Sequence, residues 1–177
     1  MMNGIRSRLF GRGRREKPGK GVQEILKGIP IFDGLTKREL TAVERILHER
    51  HYQTDEIIFR QEEPGMGMYI IESGSVGIVS EPGGVQFSEL NVGDFFGELA
   101  LLDEAPRSAT AVAKTPCRVF GFFQPDLFSL IERDPRLGVK IVLRLAQIIG
   151  SRLRRANDQA LSLVEELKQL KQSSGKK

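Results

Sequence analysis

At 177 residues, with 40% hydrophobic and 28% charged side chains, the chain has the composition of a soluble globular protein long enough for one well-cored domain plus tails. No apolar run approaches the roughly 18–20 residues of a membrane-spanning helix, and the N-terminus lacks the apolar core of a secretory signal, so a cytoplasmic location is expected. The net charge of +4 is uneven: residues 1–21 hold seven basic side chains against Glu16 alone, a balance of +6 that leaves −2 for the rest.

The basic stretch 1–21 is rich in Gly and Arg and has no sustained period, so it reads as a disordered arm. Such an arm can touch anionic surfaces, nucleic acid or lipid, or serve solubility alone. Helical signals follow from Val22 to Leu47. VQEILKGIPIF suggests a short helix stopped near Gly28 and Pro30, and Thr36 followed by Glu39 fits a capping box ahead of the apolar face Leu40, Val43, Ile46 and Leu47.

Between His48 and Phe123 the pattern changes to short runs rich in Ile, Val, Phe and Tyr. They are HERHYQ, EIIFR, MYIIES, SVGIVS, VQFSEL, DFFG, SATAVA and CRVFGFF, divided by turn residues. Many short strands at roughly even spacing predict an antiparallel sandwich or barrel rather than βαβ units. His48 and His51 lie three apart, which on a strand sends them to opposite faces, and no third ligand accompanies them, so no metal site is expected. Cys117 reads as a small buried thiol.

Helices return at Gln124. Pro125 suits a first helical turn, and Asp134-Pro135 reads as a cap and a second helix start. Apolar residues then fall at Val142, Ala146, Ile149, Leu153, Ala156, Ala160, Leu163, Leu167 and Leu170, alternating four and three. A helix of about 36 residues would run roughly 54 Å, more than its own domain can cover, so pairing with a second helix is expected, with a bend or joint at Gly150-Ser151.

The stretch FGELALLDEAPRSATAV concentrates the chemistry. Gly97 permits a positive φ or a close backbone approach, and Glu98–Leu102 starts a helical turn abruptly after a strand, leaving N–H groups free for an anion. Arg107 adds a fork that can hold two oxygens of one phosphate. Glu98, acceptor-only when ionised, must face a donor such as a sugar hydroxyl. An anion site beside a hydroxyl acceptor fits a ribose phosphate; a capped turn with a surface arginine fits the same residues.

The segment Gly93–Val112, GDFFGELALLDEAPRSATAV, resembles the phosphate-binding cassette of the cyclic-nucleotide-binding domain family, and EIIFRQEEPGMGMYIIESGSVGIV is similar to that family's earlier strands. The family includes the bacterial catabolite activator protein and the regulatory subunits of cyclic-AMP-dependent protein kinase. The likeness runs from about Ile29 to Asn157. It implies a mainly β fold, an antiparallel β-roll or jelly roll with N-terminal helices and a long C-terminal helix. Together with the composition and periodicity above, the expected organisation is basic arm 1–21, cyclic-nucleotide-binding domain 22–134, long helix 135–172 as a coiled-coil dimerisation element, and frayed tail 173–177.

By the same resemblance Glu98 accepts from the ribose 2′-hydroxyl and Arg107 clamps the cyclic phosphate, with backbone groups of Gly97, Leu99, Ala100 and Ser108 completing the cradle. Ser108 stands where cyclic-GMP-selective members often carry threonine, which favours cyclic AMP over cyclic GMP. Ile78, Phe87 and Ser88 match the base pocket, where core packing would explain them equally. The long helix is expected to cap the base near Arg154–Asn157, with Asn157 as the named contact.

The function implied is a cyclic-nucleotide sensor that signals by repositioning its C-terminal helix, works as a homodimer and acts on a downstream protein that the residues do not identify. A degenerate fold serving as a ligand-free interaction scaffold is the alternative. No nucleophile–base pair or metal cluster supports an enzyme. The catabolite-activator branch follows the dimer helix with a helix-turn-helix of some 60–80 residues; this chain stops at Lys177, so sequence-specific DNA binding is not expected.

Overall fold

The strand-rich middle of the chain folds as two antiparallel four-stranded sheets in a computed structural model that describes residues 21–81, 83–103 and 105–174. One sheet has the order β1(His48–Tyr52), β8(Cys117–Phe123), β3(Gly67–Ser73), β6(Phe95–Phe96). The other has β2(Ile57–Phe59), β7(Thr110–Ala113), β4(Val76–Val79), β5(Gln86–Leu90). Eight strands thus arise from the eight expected segments, as the antiparallel roll requires.

The first sheet is a wall with two apolar faces. Because side chains alternate along a strand, Met68 and Ile70 of β3 and Phe120 and Phe122 of β8 enter the core beneath the helices. Ile71, Cys117 and Val119, one residue out of phase, join Val76 and Ala111 of the second sheet in the core of the roll. Each Leu, Ile or Phe so buried contributes about 1.5–3 kcal/mol relative to exposure. Cys117 is buried, and its thiol donates to the carbonyls of Ser75 and Thr115, both at 3.1 Å. His48 pairs with Asp126 at 3.0 Å and His51 with Glu49 at 2.8 Å.

The helices form where the local signals put them. Helix α1(Val22–Gly28) ends before Pro30, which opens a 3₁₀ turn at Pro30–Phe32. Helix α2(Lys37–Glu44) begins with the capping box: the Glu39 amide donates to Thr36 Oγ1 at 3.3 Å, and the Thr36 amide donates to Glu39 Oε2 at 2.7 Å. Helix α3(Gln124–Arg133) follows β8 directly, and Asp134 accepts from the Leu137 amide at 3.1 Å as α4(Pro135–Ser174) starts. Of the basic arm 1–21 only Gly21 lies within the described residues, where its carbonyl accepts from Glu24 at 2.7 Å. Residues 175–177 of the expected tail lie outside them.

Helix α4 continues unbroken through Gly150-Ser151; a glycine costs a helix interior only about 1 kcal/mol, which packing over the first half can offset. Its face on the domain lies beside the expected heptad seam and shares Val142 with it. Leu137, Ile141, Leu145 and Ile148 pack into the core, whereas Leu153, Leu163, Leu167 and Leu170 are exposed. Two adjacent stripes therefore share one helix, the first used within the chain. Among the described residues no helix is long and apolar enough to cross a membrane.

Candidate functional site

Strand β6 delivers the chain to Gly97, whose φ of +76° and ψ of 18° lie in the left-handed region. That turn requires glycine twice over. The conformation disfavours any Cβ, and a Cβ there would stand 2.6 Å from the Arg107 Nη1 atom. The chain then closes a 3₁₀ turn at Glu98–Leu101 and swings out to Pro106 before entering β7. On the way back Arg107 is gripped by its backbone: its amide donates to the Glu63 carbonyl at 2.9 Å, and its carbonyl accepts from the Glu62 amide at 2.9 Å.

Arg107 is only 7% exposed. One Nη1–H donates to the Gly97 carbonyl at 3.1 Å, and the buried Nε–H has no acceptor among the described residues. Burial pushes its pKa down, while Tyr69, Glu63 and Glu98 pull the other way through space. No carboxylate among the described residues hydrogen-bonds it. A buried guanidinium without a countercharge is costly, and an anion delivered from the cavity would relieve that cost.

Glu98 is 5% exposed and accepts from Arg152 Nη1 of α4 at 2.5 Å. Arg152 also donates to the Phe95 carbonyl at 3.5 Å, and its guanidinium lies 4.8 Å from the Phe95 ring centroid. Helix α4 is thereby fastened to the cassette at its carboxylate.

Glu98, Arg107 and Arg152 line one cavity of about 300 Å³. Gly97, Leu99, Ala100, Ser108, Ile78 and Ser88 line it too, with Phe59, Leu90, Phe95, Phe96 and Ala109 among the further walls. The cavity is apolar along the sheet and polar where Arg107 and Glu98 meet it, a shape suited to a small ligand with a flat apolar part and an anionic, hydroxylated end.

Two expected site residues lie elsewhere. Phe87 is 63% exposed and does not line the cavity, because Ser88, paired with Ile78, faces inward and its neighbour on the strand must face out. Asn157 is exposed and sits five residues, about 7.5 Å along the axis, beyond the helix position that reaches the cavity. That position is Arg152, and a signal for it existed: it extends the core-facing series 141, 145, 148 by four. Phe59 carried no such signal, being the last residue of a three-residue strand. Asp103 is exposed and also borders the cavity.

An eight-stranded antiparallel roll with a glycine-turned cassette, bordered by a helix at its cavity, defines a domain whose cavity is suited to a small anionic ligand. Residues 49–134 match the family model described as Cyclic nucleotide-binding domain, and the chain belongs to that family. It is 34% identical over 135 residues to the Cyclic AMP receptor protein of Thermus thermophilus, across 75% of this chain and 61% of that protein. It is 34% identical over 97 residues to a cAMP-dependent protein kinase regulatory subunit of Colletotrichum orbiculare, across 55% of this chain and 25% of the subunit. The crystal structure of a cyclic nucleotide-binding domain from Methylobacillus flagellatus superposes with a TM-score of 0.69 at 25% identity, over 79% of this chain and 80% of that one. The chain thus spans less than two thirds of the length of the two curated relatives.

Proposed function

We propose that this protein is a cyclic AMP sensor, and the observation that carries the reading is Arg107: a buried guanidinium with an unsatisfied Nε–H and no hydrogen-bonded carboxylate among the described residues, bordering a cavity that Glu98 also borders. Arg107 would bind the cyclic phosphate through charge-assisted hydrogen bonds. Glu98 would accept from the ribose 2′-hydroxyl with the oxygen that Arg152 leaves free. Backbone groups of Gly97, Leu99, Ala100 and Ser108 would complete the cradle, with Ile78 and Ser88 along the base. By the family resemblance, serine rather than threonine at position 108 would favour cyclic AMP over cyclic GMP. A ligand-free scaffold would have no use for a guanidinium kept buried and unpaired.

Signalling would run through α4. Arg152 and the ribose hydroxyl share one carboxylate, so a ligand that settles on Glu98 changes the hold of the cassette on the helix, and the population shifts toward the helix position compatible with both. The exposed seam of Leu153, Leu163, Leu167 and Leu170 suits a homodimer that would pass this change between subunits. The role is regulatory rather than catalytic, and a cytoplasmic setting fits it.

Calorimetric titration with cyclic AMP and cyclic GMP tests the reading. The wild type is expected to bind cyclic AMP more tightly, and Arg107→Ala to lose at least about tenfold in affinity, since hydrogen bonds to a charged group contribute about 1.5–3 kcal/mol. Failure of the wild type to bind either nucleotide, or unchanged affinity in R107A, would overturn it.

A further inference from the structure

Arg107 is held in place by something other than a carboxylate. Its guanidinium carbon stands 4.1 Å from the centroid of the Phe59 ring, which also lines the cavity. That ring is fixed in its turn by Tyr69 at 6.0 Å and Phe96 at 5.8 Å, themselves stacked at 5.6 Å. Gly65 leaves the space that the guanidinium needs: a Cβ there would lie 3.2 Å from both the guanidinium carbon and Nε. Ring, glycine and the Gly97 carbonyl together make a slot for a flat cation. The Glu63 and Glu98 carboxylates act on the Arg107 guanidinium only through space.

We propose that Phe59 is the positioning residue for Arg107, a neutral platform that orients the guanidinium while leaving its charge uncancelled for an anion in the cavity. A carboxylate could also fix the side chain, but it would neutralise the field that the anion is meant to meet. The face of an aromatic ring attracts a cation through its quadrupole and adds no net charge. The three-ring cluster explains why the platform is rigid: Phe59 cannot tilt without disturbing both Tyr69 and Phe96. Arg107 is therefore set before ligand arrives, and the ligand need not spend affinity on ordering it.

The inference rests on the reading of Arg107 as the phosphate partner, and two measurements keep the two apart. In the ligand-free protein the Arg107 Nε–H resonance should be shifted upfield by the ring current of Phe59, and Phe59→Leu should return it to the ordinary arginine region. In titrations with cyclic AMP, F59L should weaken binding about five- to tenfold, the range of a partly desolvated cation–π contact, while Phe59→Tyr stays within about twofold of wild type. Phe59→Met is run beside F59L, with thermal unfolding of each, so that a folding defect in one variant does not decide the result. An Nε–H resonance unmoved in the folded variants, or F59L and F59M affinities equal to wild type, overturns the role of Phe59. The resonance needs no ligand, so it decides the matter even if the wild type fails to bind cyclic AMP, a result that would count against the proposed function.

Discussion

Arg152 on α4 and Glu98 in the cassette, 54 positions apart, meet at 2.5 Å across the mouth of the cavity. The two partners differ in solvation: the Glu98 side chain is 7% exposed and that of Arg152 47%. The pair as such contributes little, because its cation is half in water. Its loss would nevertheless leave a buried carboxylate without a cation, which is the costly half of the change. Arg152→Ala should therefore lower cyclic AMP affinity about three- to tenfold, equivalent to roughly 0.7–1.4 kcal/mol. Hydrogen exchange should quicken in α4 around residues 148–155. Arg152→Lys, which keeps the charge and loses the fork, should fall between. Unchanged affinity in R152A would separate the helix from ligand sensing.

Gly97 offers a sharper break, because two constraints meet at one atom. Gly97→Ala must place a methyl group on a backbone of φ +76°, at a cost of about 1–2 kcal/mol, and push aside the Arg107 Nη1 atom that the methyl would approach to 2.6 Å. The core lies elsewhere, so the variant should remain folded with a melting temperature lowered by a few degrees. Cyclic AMP binding should drop more than tenfold in calorimetry. A G97A protein that binds like the wild type would mean that the cassette relaxes around the methyl and that the Arg107 setting is not critical.

The distal half of α4 tests a different surface. Leu163 is 60% exposed and Leu167 57%, and neither belongs to the core of the domain. In a two-stranded coil both would be buried in the seam. Sedimentation of the wild type at micromolar concentration should give a dimer. Leu163→Glu with Leu167→Glu should give a monomer whose domain melts as before, since no intrachain packing is lost. A monomeric wild type would remove the dimer from the proposed mechanism.

The limits of sequence reading at this site are physical. Strand period made the roll legible, and residue chemistry marked Glu98 and Arg107 because few scaffolds need both beside a glycine. Phe87 and Ser88 could not both face inward, yet which did depended on register, and a one-residue slip exchanges the faces. On α4 the same difficulty takes the form of phase: each residue turns the helix by about 100°, so a heptad seam running on to 149 and 153 hid a core stripe at 141, 145 and 148 beside it, the two sharing Val142. Arg152 belongs to the hidden stripe, which is why the helix meets the cavity at 152 rather than near Arg154–Asn157. Phe59 became visible only once the rings of three strands had been brought together.

Glu39 gives the fold a dependence on pH that lies away from the cavity. Its carboxylate accepts from Lys140 Nζ of α4 at 2.6 Å and from the Thr36 amide at 2.7 Å, which ties α2 to the start of the long helix. Lys140 first, and the capping contact after it, hold its pKa below the ordinary 4.5. A carboxyl depressed in the folded state binds protons more readily when unfolded, so its stabilisation is present above pH 4.5 and is lost as pH falls through the lower folded value. Glu39→Gln keeps an amide oxygen for the cap but gives up the charge facing Lys140. At pH 7 the variant should melt below the wild type, and the gap should close as pH falls below 4.5 and through the lower folded value. Parallel melting curves at every pH would show that Lys140 contributes nothing through charge and that the capping hydrogen bonds alone make the contact.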